Sequence, residues 1–221
     1  RPDTATTGTT QAITLNIAED EPNEAKEDGG FVFQNVTNAT VGATNRLTVA
    51  IGAIEIFFKD FSSEALGALS VVDVTNGNGW GLTSFSGNFY AEANAFGGAE
   101  ASDSWLLLPA FNFNAFEGET LTFRNAKNFD DGGVERGLQV KVSTNYDGSG
   151  NPQDFTWIDV SDQVQSYSQG GYEYVPSGEI DLSGSQFQGD SVYVAFRYIS
   201  SGTGPGSSEL WQVDDIRLVG R

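Results

Sequence analysis

SVYVAFRYISSGTGPGSSELWQVDDIRLVG, residues 191–220, is the stretch from which the rest of the chain can be read. Two runs rich in β-branched and aromatic residues, 191–199 and 210–219, flank a Gly/Ser/Pro loop, which is the pattern of two strands with a long connection. Read with period 2, the second run puts Leu210, Gln212, Asp214, Ile216 and Leu218 on one face. Trp211, Val213, Asp215 and Arg217 then take the other. Asp214 falls among apolar side chains, where a carboxylate needs a cation or several donors against it. Three answers stay open: a bound cation, a turn cap, or an ion pair with Arg197 or Arg217.

Working back from that stretch, strand-like runs recur about every dozen residues. They are 11–17, 31–36, 46–58, 69–74, 85–93, 104–113, 120–125, 137–144, 155–160 and 172–182, and no segment of convincing length has a helical period. The run SWLLLPAFNF, 104–113, is the most apolar of the second half and reads as a central strand, with Pro109 at its exit. The segment 18–30 reads as a solvated acidic loop and 75–81 (TNGNGWG) as a tight glycine loop. Residues 147–151 (DGSGN) carry oxygens at alternate positions, but Pro152 and Ile158 replace the Gly and Glu of a calcium loop, so a hairpin tip is expected. The fold class is all-β, an antiparallel sandwich. One sandwich domain over 51–221 is expected, with residues 1–50 as an extension packed on it or leading into it.

Composition narrows the chemistry. The chain has 221 residues, of which 27 are Gly and 16 Phe, consistent with many turns and an aromatic-filled core. Net charge is −19, with 11 scattered basic residues against 30 acidic ones. A nucleic-acid backbone or an anionic membrane surface needs a basic face, so neither is expected as a partner. Cys, His and Met are absent, which removes disulfides, thiolate and imidazole metal sites, and nucleophiles paired with histidine. The longest apolar run, 47–58, is too short to span a bilayer. Hard divalent cations are the natural counter-ligands for such an acidic surface.

Four collinear segments carry a resemblance. They are KDFSSEALG at 59–67, GNFYAEANAFGGAEASDSWLLLPAFNF at 87–113, VKVSTNYDGSGNPQDFTWIDV at 140–160, and the closing pair of strands. Together they resemble the choice-of-anchor J / cleaved-adhesin family of extracellular bacterial modules, over roughly 55–220. The resemblance implies a jelly-roll sandwich of the galactose-binding-domain type, and secretion or cell-surface display in Bacteroidetes as part of a larger surface protein. It also implies a role in adhesion or glycan capture, and a structural Ca2+. Carried over by position, the calcium ligands would be Asp60, Asp103 and Asp214, with Ser62 where the family often has a further acid.

Glycan capture generally needs an exposed aromatic platform. Trp105, Trp157 and Trp211 lie in strand-like runs and are assigned to the core. Trp80 lies in the glycine loop and is the first candidate for stacking on a sugar ring, with Tyr146 and Tyr172 as loop-borne alternatives. The expected function is a non-catalytic carbohydrate-binding module whose partner is a polysaccharide or glycoconjugate. The alternative is a protein–protein adhesion module, and the third reading is a carboxylate-based glycan hydrolase or lyase.

Overall fold

The computed structural model describes residues 52–221 in full and, before them, only the backbone of four short strands. Of these, β1 (Pro2–Thr6) pairs with β2 (Ala12–Asn16), and β3 (Ala39–Val41) with β4 (Leu47–Val49), both antiparallel. The acidic segment 18–30, the strand expected at 31–36 and the placement of 1–50 lie outside the described residues. The run expected as one strand over 46–58 holds two, β4 and β5 (Ile54–Lys59).

Two antiparallel sheets make a jelly-roll β-sandwich. The first contains β7 (Trp80–Phe85), β8 (Asn88–Asn94), β16 (Leu210–Gly220), β10 (Thr120–Asn128) and β13 (Val175–Pro176) in that order. To these, β5 adds on β16 and β14 (Ile180–Asp181) on β10. The second sheet runs β12 (Ile158–Asp159), β11 (Leu138–Ser143), β15 (Tyr193–Ile199), β9 (Asp103–Leu107), β6 (Ser70–Asp73). The long connection expected between the last two strands lets β15 and β16 lie in different sheets.

Alternating side chains from both sheets fill the space between them. Ala91, Ala93, Leu121, Phe123 and Val213 face Leu106, Val140, Val194, Phe196 and Tyr198 in one buried cluster. Phe123 meets Phe196 edge to face across the gap, centroids 4.8 Å apart. The Tyr198 hydroxyl donates to the Glu209 carbonyl at 2.6 Å and accepts from the Ala95 amide at 3.0 Å, so its one polar atom is satisfied inside. The second sheet is apolar on its outer face too. There Trp105, Leu107 and Ala195 are covered by Tyr146, Phe155 and Trp157, from the loop between β11 and β12. Every residue of β9 is therefore buried, which explains why 105–108 reads as an unbroken apolar run.

The alternation read for the last strand does not hold along its length. Thr122 stands opposite Arg217 and Arg124 opposite Asp214, so Asp215 and Ile216 together face Phe123 alone. This two-against-one bulge is closed by Asp215 in the left-handed region, at φ 49°. Side chains change phase across it. Trp211 and Val213 point into the core before it, and Ile216 and Leu218 after it. Asp214 thus leaves the apolar face on which strict alternation placed it and sits on the outer face, beside Asn88.

Replacing Asp215 tests the bulge. Asp215→Gly should leave stability within about 0.5 kcal/mol of the parent, since glycine takes positive φ without a Cβ penalty but loses more chain entropy. Asp215→Val should cost about 1–2 kcal/mol, because a β-branched residue is strained there. Urea unfolding of the two variants should separate them, and equal midpoints would mean that the bulge imposes no such constraint.

Candidate functional site

The three aspartates carried over as calcium ligands are held apart. Asp103 lies on β9 in the second sheet and Asp214 on β16 in the first. Arg197 grips Asp103 with two hydrogen bonds, Nε to Oδ1 at 2.9 Å and Nη2 to Oδ2 at 2.6 Å. The Trp105 indole N–H and the Gln153 amide donate to the same carboxylate. Asp60 Oδ1 accepts from the Ser62 amide and hydroxyl, which hold its carboxyl below the usual range. Asp214 accepts from the Asp215 amide at 2.8 Å and from Asn88 Nδ2 at 3.2 Å. Among the described residues no three acidic side chains gather as a metal-holding group. The set Asp60, Asp103 and Asp214 therefore does not fit one Ca2+. Neither arginine offered as a partner for Asp214 reaches it, because Arg197 serves Asp103 and Arg217 pairs with Glu55 at 3.0 Å.

Two of the three aromatic candidates are inside. Trp80 opens β7, is 6% exposed and packs edge to face on Tyr198. The glycines before it let the chain press against its neighbours, and a Cβ at Gly79 would collide with Asp73 and Ser104. Tyr146, 2% exposed, is ringed by Phe155, Trp157 and Tyr193 with centroids 5.0–5.4 Å away. Neither offers a stacking surface.

Tyr172 is different. It is 46% exposed and meets Phe129 edge to face, centroids 6.4 Å apart. Phe129 is 56% exposed and lines a cleft of about 520 Å³ with Asn94, Phe96, Asp130, Pro205, Gly206 and Ser208. Phe96 is 57% exposed. Neither phenylalanine stands out in the sequence beside the Trp and Tyr residues usual in sugar platforms. The signal of these two phenylalanines is a bulky aromatic between turn-formers, NAFGG at 94–98 and NFDDGG at 128–133.

Three loops form the cleft and are cross-tied. The Gly97 amide donates to the Thr203 carbonyl, and the Gly132 amide to the Gly206 carbonyl. Buried Asp131 accepts from the Gly133 amide, the Ser201 amide and the Ser201 hydroxyl. From a fourth segment, the Tyr172 amide donates to the Lys127 carbonyl and the Gly171 amide to Asn128 Oδ1. Phe129 and Tyr172 both have left-handed backbone, at φ 64° and 60°. Large side chains rarely adopt it, and such outliers persist only where the surroundings over-determine them. Here they hold two aromatic rings out towards solvent at one rim.

Polar groups sit beside the rings. Asn94 Oδ1 accepts from the Phe96 amide, which orients its NH2 group. Asp130 pairs with Lys127 at 3.0 Å, and Lys127 also reaches Glu209 at 3.3 Å. Aromatic faces with a few fixed donors and acceptors can bind a ligand that is apolar on one side and hydroxylated at its edges.

Residues 112–219 match the sequence profile of a family described as Domain of unknown function (DUF5017). No curated protein matches the chain. In structure the chain is similar to the K1 cleaved adhesin domain of Lys-gingipain from Porphyromonas gingivalis W83, at 17% identity and TM-score 0.49, over 77% of this chain and 99% of that one. It is also similar to the K3 cleaved adhesin domain of the same protein, at 18% identity and TM-score 0.47, over 75% and 98%. A xylan-binding domain from Paenibacillus barcinonensis Xyn10C aligns at 12% identity and TM-score 0.44, over 77% and 96%.

Burial lifts the Asp214 carboxyl above its ordinary 3.8, with Asn88 and the Asp215 amide opposing the shift. The folded chain then holds that proton more tightly than the unfolded chain. Stability from this group is full below the ordinary value and is lost as pH rises through the folded value. Asp214→Asn escapes this loss, so its stability relative to the parent should improve as pH rises from below the ordinary carboxylate value to above the lifted one. A difference independent of pH, from urea unfolding, would refute the shift. Arg197→Ala should cost about 2–3 kcal/mol, below the usual 3–5 for breaking a fully buried pair, because Arg197 is partly exposed.

Proposed function

We propose that this chain is a non-catalytic carbohydrate-binding module and that the cleft between Phe96 and Phe129 is its ligand site. The observation that carries this reading is the pair Phe129 and Tyr172, exposed and in contact, each in a backbone conformation that costs stability. Sugar rings have apolar faces and hydroxyl edges, which match ring faces flanked by Asn94 and Asp130. Among the described residues Asp130 is the one carboxylate on the cleft lining, and it is ion-paired with Lys127, whereas glycoside hydrolysis needs two carboxyl groups flanking the bond. Capture of polysaccharide or glycoconjugate by a secreted or surface-displayed protein fits this chemistry. Adhesion to a protein is the second reading. It is favoured by the exposed Phe58 and Phe85, which add apolar surface elsewhere on the first sheet.

Phe129→Gly separates the two costs. It should raise stability by about 1 kcal/mol by relieving the left-handed strain. On a glycan array the same variant should lose binding to every polysaccharide that the parent retains. A variant that binds like the parent would remove Phe129 from the site. Release of reducing ends from a bound glycan would replace the binding reading with an enzymatic one.

A further inference from the structure

The outer face of the first sheet carries a set of polar and aromatic side chains that the core does not require, and one of them, Asn94, also lines the cleft. Asn88, Tyr90, Glu92 and Asn94 share one face of β8. Gln212 stands opposite Glu92, and Arg124 opposite Asp214. Contacts join them across three strands. Asn88 donates to Asp214, and Gln212 Nε2 donates to Glu92 Oε2 at 2.8 Å. Tyr90 meets Tyr174 edge to face at 6.1 Å, and the Arg124 guanidinium lies over the Tyr174 ring, 5.3 Å from its centroid.

The members differ in exposure, and this assigns their roles. Gln212 and Asp214 are buried, whereas Arg124 and Asn88 are exposed and Glu92 and Tyr174 half-buried. Buried partners therefore hold the outer polar groups in place, which lowers the ordering cost of binding. The Arg124 side chain makes no hydrogen bond among the described residues, and the carboxylate oxygen paired with it, on Asp215, is 3.9 Å away. A planar fork of donors thus faces outward, supported by a tyrosine ring and close to fixed acceptors.

We propose that this face is a second binding surface, continuous with the cleft, that takes the interior of a neutral, linear glycan chain. The proposal rests on the cleft being a sugar site. Continuity comes from Asn94, which ends the β8 series and lines the cleft. It comes also from the segment that carries Tyr172 to Phe129 and, two residues on, Tyr174 to Tyr90. Six residue steps from Asn88 to Asn94 span about 20 Å, too long for a single sugar. Arg124 can donate to vicinal hydroxyls while Glu92 accepts from them. Asp130, Glu92, Asp214 and Asp215 would repel a uronate or a sulfate, so the chain taken is uncharged.

The experiment is calorimetric titration of the full chain with β-1,4-linked xylose, mannose, glucose and galactose oligomers of one to six units, beside an oligogalacturonate series. On the series that binds, affinity should rise about tenfold or more between the dimer and the hexamer. Arg124→Ala and Glu92→Gln should bring the hexamer down to the affinity of the dimer, leaving the dimer and the melting temperature unchanged. Phe129→Ala should weaken both oligomers. An affinity that stops growing at two units, or an Arg124→Ala variant that binds the hexamer like the parent, overturns the second surface and leaves the cleft standing. Preference for the galacturonate series overturns the neutral class. If no oligomer binds, the cleft and the sheet face fall together as sugar sites.

Discussion

The bulge at Asp215 is the constraint on which the rest depends. Strand β16 is central in its sheet, with β10 on one side and both β8 and β5 on the other. Each neighbour takes its register from a different part of it. Strand β8 pairs over 210–213, before the bulge, and β5 over 216–220, after it. A strand in strict alternation would turn one of these stretches inside out, because a slip of one residue reverses every side chain. The extra residue lets Trp211 and Val213, then Ile216 and Leu218, all reach the core. It also delivers Gln212 and Asp214 to the outer face, where the polar network forms.

Arginine does for Asp103 what a cation was expected to do. Its carboxylate is taken by Arg197, Trp105 and Gln153, and the Arg197 guanidinium lies over the Trp105 ring, 5.1 Å from its centroid. Arg197 and Trp105 are cross-strand partners, so one contact ties β15 to β9 and carries Gln153 from the covering loop with it. Charge-assisted, bidentate bonds of this kind are among the strongest that a side chain makes. Among the described residues Asp214 has neutral donors only, and its carboxyl stays lifted by burial.

Fold class was legible in the sequence because it depends on period and on turn residues, which are local. The central strand around Trp105 and Leu106 and the pair of strands at the end follow from that reading. The site was much less legible. Asp214 looked anomalous only under strict alternation, and a bulge closed by an aspartate leaves little local trace, since φ > 0 usually calls for glycine or asparagine. Trp80 looked exposed because Gly and Asn surround it, yet those glycines serve the close approach of Asp73 and Ser104 that seats the ring inside. Tyr146 sits in a loop by sequence and under a second apolar layer by structure, because that layer forms from residues as far apart in the chain as Trp105 and Tyr193. Tyr172 was identified, but its neighbour Phe129 becomes a partner only through the pairing of the 171–172 amides with β10 and its end.

Strain and order therefore fall on the same few residues. The cleft loops are rich in Gly and Ser, a composition that alone would favour many conformers. Hydrogen bonds to buried Asp131 and to main-chain carbonyls select one conformer, and in it Phe129 and Tyr172 hold backbone angles that they would not take unaided. The free energy stored there comes from the rigid sandwich beneath, through β10, whose last residue leads directly into Phe129. A loop that relaxed would turn these rings towards the protein surface, as Tyr146 and Trp157 do on the opposite sheet. Keeping them at the rim makes sense if the area they leave uncovered is the area that a ligand covers.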